Sequence, residues 1–172
     1  MNLVRCTVLG TDHNLQRSDA GLRHKITSII SSNRAISLIA EECSDPNQIT
    51  VAREIVQESN GLISWCCVDM TDEDRKKAGI YERLCIRPKL KFHPETGLDE
   101  DPRIYFRHAD GVREEFWLDR IADAQPRDEV LIVCGWMHLE FLADKATKRG
   151  WSVSKGFYIP AGPEAYAFEI WD

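Results

Sequence analysis

The chain has 172 residues, enough for one domain that buries roughly 70% of its unfolded surface without needing a metal or a disulfide to hold it together. Its formal charge of -6 and pI near 5.4 disfavour a nucleic-acid or anionic-membrane partner, since either requires clustered Lys and Arg, and the basic residues here form only short groups such as Arg75-Lys76-Lys77. No stretch reaches the roughly 20 apolar residues of a bilayer span, and no charged segment followed by a long apolar core opens the chain, so a cytoplasmic protein without a membrane partner is expected.

Residues 3–9 are short, β-branched and apolar, and Gly10 stops them, which predicts a first strand. A polar loop carrying His13 follows, and Ser18 or Asp19 can cap a helix whose apolar face is Leu22, Ile26, Ile29 and Ile30. Residues 35–40 predict a second strand that ends in Glu41-Glu42-Cys43-Ser44 and then Pro46. Residues 47–59 repeat Ile49, Ala52, Ile55 and Val56 at helical spacing, and Asn60-Gly61 terminates them. A third strand over 62–68 is finished by Asp69, and Thr71 heads a capping-box-like Thr-Asp-Glu-Asp for a short helix to about Ala78.

Residues 80–111 carry Pro88, Pro94, Pro102, Gly97 and the acidic Asp99-Glu100-Asp101, and read as an irregular excursion or lid. A helix is expected from about Gly111, with Val112, Phe116, Leu118, Ile121 and Ala122 as its stripe and Pro126 as its stop. Residues 129–134 form the plainest strand, an unbroken apolar run of the kind covered on both sheet faces. Leu139, Leu142, Ala143 and Ala146 mark a helix ended by Gly150, and final strands are expected at 151–153 and 165–171. Alternating strands and helices imply a single α/β domain over 1–172, a layered, largely parallel (mixed) sheet flanked by helices.

In such sheets ligands bind outside the carboxyl ends of the strands. Gly10-Thr11-Asp12-His13 and Gly135-Trp136-Met137-His138 share the pattern G-x-x-H at two such ends, the glycine permitting a tight turn, and Glu41-Glu42 and Asp69 fall at two others. Two histidines and a carboxylate with one open position suit a divalent transition metal such as Mn, Co or Zn, which would lower the pKa of a bound water. The candidates are therefore His13, His138 and Glu42 as ligands, with Glu41 or Glu42 as the water activator; one of the two adjacent glutamates must point inward, and either can be the one. His24, His93 and His108 lack such surroundings. Of the six cysteines none forms C-x-x-C, so they read as reduced, buried small hydrophobes, with a zinc site or a reactive thiol as the alternatives.

The G-T-D-H start, the acidic end of strand two, the helix opening Arg113-Glu114-x-x-Trp117-Leu118, and Val133-Cys134-Gly135-Trp136-Met137-His138 with Gly150-Trp151-x-Val153 resemble the TraB, PrgY and Tiki group. That group belongs to a superfamily with the erythromycin esterases and the ChaN haem-binding lipoproteins. The resemblance implies an α/β fold in which both histidines and the acidic residue converge, with Arg113 anchoring carboxylates or an oxyanion. It also implies either a metal-dependent peptidase site, as in the Tiki branch, or a metal-free His/Glu site, as in the esterases. Glu114 stands where the group carries Asn or Asp, and the chain is shorter than typical members.

The leading expectation is a soluble, metal-dependent hydrolase of a peptide or other acyl bond, acting on a peptide or small molecule. The alternatives are a metal-free His/Glu esterase, a ChaN-like protein that binds haem or another small ligand without turnover, and an interaction module that binds a partner through residues 87–107. A homo-oligomer is open.

Overall fold

The computed structural model describes residues 4–43, 45–80 and 102–160. Five parallel strands form one sheet: β1 (Arg5–Thr11), β2 (Ile36–Glu41), β3 (Ser64–Cys67), β4 (Glu129–Gly135) and β5 (Ser152–Tyr158), in the order β3-β2-β4-β1-β5. Every described pairing is parallel, so the mixed sheet allowed by the sequence is a wholly parallel one among the described residues. The fifth strand runs five residues past Gly150-Trp151-Ser152-Val153 to Tyr158, and the tail strand expected at 165–171 lies outside the described residues.

Strand alternation divides the interior into two cores. Leu9, Ile39, Leu131 and Val133 face α1 (Ala20–Ser32) and α2 (Val51–Glu58), where they meet Leu22, Ile26, Val51, Ala52 and Ile55. Val8, Ala40, Ile132 and Cys134 face the other way, toward α4 (Pro102–Asp123) and α5 (Leu139–Lys148), and pack on Trp117, Leu118, Ile121, Leu142 and Ala146. Each strand residue switches side from its neighbour because the pleat has a period of two. β4, with a neighbour on each edge and helices on both faces, is buried along its whole length. A third, smaller cluster joins Met70, Ile80 and Ala109 beside α3 (Asp72–Lys77).

Local chemistry sets the helix ends. Of the two candidate caps for α1 it is Asp19 that accepts from the Leu22 N–H at 2.6 Å. In α2 the first helical residue is Val51, not Asn47, because Asp45 accepts from the Asn47 N–H and holds that stretch in a turn, leaving Thr50 as the cap and Ile49 exposed. Thr71 and Asp74 make the expected capping box on α3. The largest difference lies in α4, which begins at Pro102, so that residues 102–111 of the expected excursion are helical. Proline's missing N–H is no loss at a first helical position, and what reads as a breaker is here a start. Residues 81–101 of that excursion lie outside the described residues. No described helix is long and apolar enough to cross a membrane.

Candidate functional site

The winding of the sheet creates a crevice. β2 leads into α2 on one face while its neighbour β4 leads into α5 on the other, so the connections leave adjacent carboxyl ends in opposite directions. Glu42 stands between them, its backbone N–H donating to the Val133 carbonyl at 2.9 Å.

Both oxygens of the Glu42 carboxylate are engaged. Oε1 accepts from Arg113 Nη2 at 2.6 Å and lies 3.6 Å from His138 Nε2. Oε2 accepts from the Gly135 N–H at 2.8 Å and lies 3.7 Å from His13 Nε2. The structure therefore brings together His13, His138, Glu42 and Arg113, with Glu42 at the centre. The two histidines sit differently: the His13 side chain is 56% exposed at the mouth, whereas that of His138 is 7% exposed behind the carboxylate.

The neighbouring Glu41 points to the opposite face. Its Oε2 accepts from Thr50 Oγ1 at 2.6 Å and from Trp65 Nε1 at 2.9 Å, and its buried Oε1 has no partner among the described residues. Burial raises this carboxyl above its ordinary 4.5, outweighing the lowering by Thr50 and Trp65. Strand alternation therefore decides between the two glutamates in favour of Glu42 as the one held beside both histidines.

The two G-x-x-H glycines serve each other's motif. Gly135 has φ -56° and ψ 136°, a conformation open to any residue, so a tight turn is not its reason. A Cβ on it would meet His13 Nε2 at 2.7 Å, and a Cβ on Gly10 would meet the Trp136 Cα and Leu139 Cβ at 3.2 Å. β1 and β4 are hydrogen-bonded neighbours, with Gly10 opposite Cys134 and Thr11 opposite Gly135. Each glycine thus clears the path along which the other strand's extension closes over it.

Helix α4 supplies the far wall. Arg113 donates through Nε and Nη2 to both oxygens of Asp69, through Nη1 to Asp110 and through Nη2 to Glu42. Its positive charge is stabilised because the pull of Asp69 and Glu42 overrides burial, which acts to lower the guanidinium pKa. Burial pushes the Asp69 carboxyl up, but Arg113, then Arg75, hold it below its ordinary 3.8. One residue on, the buried Glu114 lies 2.9 Å from His138 Nδ1, and the Trp117 ring stacks edge-on to the imidazole at 4.8 Å. Positions 113 and 117 share a helix face, and Trp117 Nε1 also donates to Asp69. The sequence placed Asp69 at the rim and Glu114 in the motif, yet gave no contact for either. Arg75 and Gln16 carried no signal, because each enters the site through a short helical turn with no apolar repeat.

A polar pocket of about 300 Å³ opens before Glu42, walled by His13, Gln16, Arg17, Gln48, Arg75 and Arg113 among others; His138 does not reach it. The larger hollow of about 830 Å³, between α4 and α5 around Phe116 and Phe141, contains none of these groups, and chemistry favours the smaller. His24 and His108 are exposed and outside it, and His93 lies outside the described residues. The described cysteines are free, and Cys6 and Cys134 pack in the core. Cys43 borders the pocket and engages Cys67, whose thiol that hydrogen bond brings down to about 7.

The group does not fit a divalent ion as arranged. A cation bound to Glu42 would compete with the Arg113 guanidinium for the carboxylate, the repulsion between the two being about 4 kcal/mol per unit charge at roughly 4 Å in an effective dielectric near 20. Both Glu42 oxygens already accept a donor, and among the described residues no three His, Cys, Asp or Glu side chains are grouped to hold a metal. A haem requires an apolar slot for its ring, whereas these walls are largely amides and arginines. No protein-family model, curated protein or solved structure matches the chain.

Proposed function

We propose that this protein is a hydrolase of acyl bonds, in peptides or small molecules, that works through His13 and Glu42 without a metal. One observation carries the reading: an accessible imidazole faces a buried carboxylate whose position is fixed by Arg113 and a backbone N–H, at the wall of a polar pocket. Gln16 Oε1 lies 3.4 Å from His13 Nδ1, which suits the tautomer with the proton on Nδ1 and leaves the Nε2 lone pair toward Glu42. A substrate water between Nε2 and Glu42 Oε2 would be oriented by the carboxylate and lose its proton to the imidazole as it attacks the acyl carbon, and His13 would return that proton to the leaving group. Glu42 then stabilises the imidazolium, while Arg113 acts through Glu42. His138, tethered to Glu114, backs the carboxylate from inside. The reading follows the metal-free alternative that the resemblance to the erythromycin esterase, TraB and Tiki proteins implies, and it departs from the metal-dependent reading of the same residues.

The test is hydrolysis of a panel of aryl esters and N-acyl peptides with a chelator present. Activity is expected to survive chelation and to fall at least about a hundredfold in His13→Ala and in Glu42→Gln, within the usual range for losing a general base. Turnover lost to the chelator and restored by Mn, Co or Zn would return the site to the metal-dependent reading, and full activity in His13→Ala would remove the site altogether.

Binding without turnover is the second reading. It is favoured by the closure of the chain Asp69, Arg113, Glu42, which leaves His13 as the accessible titratable group of that set. It predicts saturable ligand binding with no product from any member of the panel.

A further inference from the structure

The pocket wall holds three guanidinium groups that are not equivalent. Arg113 and Arg75 both donate to Asp69, and Arg113 also to Glu42, so carboxylates of the same wall balance their charge. Arg17 stands apart: it is exposed at the end of the single turn Leu15–Arg17, lines the same pocket, and makes no hydrogen bond or ion pair with any described residue.

The residue before it gives an independent observation. Gln16 is 4% exposed and lines the pocket, and its buried Nε2 donates to nothing among the described residues. A buried amide donor without an acceptor is rare, because desolvation is uncompensated until something accepts from it. The same side chain contacts His13 through Oε1, so the idle donor belongs to a group already tied to the reacting imidazole. An unneutralised cation and an idle donor on successive residues of one pocket wall ask for the same thing: an anionic oxygen.

Resting on the hydrolase reading, we propose that the substrate is an acyl compound bearing an anionic group, a carboxylate or a phosphate, bound by Arg17 and the Gln16 amide. Arg17 supplies a charge-assisted bond and Gln16 a second donor, which together orient the anion. Because Gln16 also holds His13, the anionic group lies within a few bonds of the scissile acyl carbon, as in an N-acyl amino acid or the C-terminal unit of a peptide. The volume of about 300 Å³ suits such a compact end group. Neutral esters lack the anionic oxygen, so they forgo the charge-assisted bond to Arg17 and are expected to be weaker ligands.

The experiment uses the whole protein and requires no turnover. N-acetylglycine, its neutral counterpart N-acetylglycinamide, and inorganic phosphate are titrated in turn, with the side-chain amide resonances of Gln16 followed by nitrogen-15 NMR. Saturable movement of the Gln16 signals with N-acetylglycine or with phosphate, and not with the neutral amide, supports the proposal, and the more effective of the two anions identifies the group. Arg17→Gln, an exposed substitution that leaves the fold intact, is expected to weaken the anion about tenfold or more, as loss of a charged hydrogen bond does. Equal binding of N-acetylglycine and N-acetylglycinamide, unmoved Gln16 signals, or unchanged affinity in Arg17→Gln each overturns it. Failure here with neutral esters still hydrolysed refutes the subsite alone, whereas anion binding with no turnover of any acyl compound refutes the hydrolase and leaves the subsite standing.

Discussion

Glu41 and Glu42 are adjacent, almost fully buried and chemically identical, yet they occupy opposite worlds at one edge of the sheet. On the α1 and α2 side, Glu41 meets the neutral donors Thr50 and Trp65, and burial raises its carboxyl. On the α4 and α5 side, Glu42 meets a guanidinium that also serves Asp69, and Asp69 is held below its ordinary value. Burial is common to both sides, so the available cation decides whether a buried carboxylate suits charge chemistry. The comparison predicts that substitutions on the two sides differ in size and in sign.

The largest effect is expected from Arg113→Ala. It leaves Glu42 and Asp69 buried without their shared cation and should cost about 3–5 kcal/mol, the usual penalty for breaking a buried pair from one end. Urea unfolding measures it, and a change below about 1 kcal/mol would mean that the acidic cluster is neutralised some other way.

Next is Thr50→Ala, which removes both the α2 cap and a donor to Glu41. A loss of about 1–2 kcal/mol is expected on the same measurement. A smaller loss would show that Trp65 alone satisfies Glu41.

Gly135→Ala tests the reciprocal glycines. The backbone conformation tolerates alanine, so stability should move little, but the added Cβ displaces His13 and turnover should fall about tenfold or more, as misplacement by an ångström does. Full activity would mean that His13 works from another position.

The smallest change belongs to Glu41→Gln, expected to lie within about 1 kcal/mol of the parent at neutral pH or to be slightly stabilising, since it removes a carboxyl that resists ionisation. The two sides should also respond oppositely to pH. Asp69, with a lowered folded value, contributes stability that is present above 3.8 and lost as pH falls through that lower value. Glu41, with a raised folded value, contributes stability that is present below 4.5 and lost as pH climbs from there through its raised value. Unfolding free energies across this range should therefore show a decline on the alkaline side that Glu41→Gln removes. An unchanged profile in the variant would show that Glu41 ionises as freely in the fold as in the unfolded chain.

Much of this was legible beforehand, for local reasons. The apolar run of β4, the Thr71 capping box and the stripe from Val112 to Ile121 each announce their element because periodicity and capping act within a few residues. The G-x-x-H pair and Glu42 meet at one rim, since an α/β sheet puts its strand ends together. Pro102 misled because the same residue breaks a helix from inside and opens one from its first turn. The sequence also supplied a reason for the glycines that the structure replaced: they make room for a neighbouring strand, and strand order is not written in either motif.

The chain's own pattern determined which residues stand at strand ends, that His13 and His138 each come three residues after a strand-end glycine, and that one of two glutamates must face each way. Tertiary structure alone decided which one. It placed β4 between β1 and β2, carried Arg113 across from α4, buried His138 against Glu114 and left His13 at the mouth. These are contacts over tens of residues, and a pleat with a period of two specifies that Glu41 and Glu42 diverge without saying which face will bring the cation.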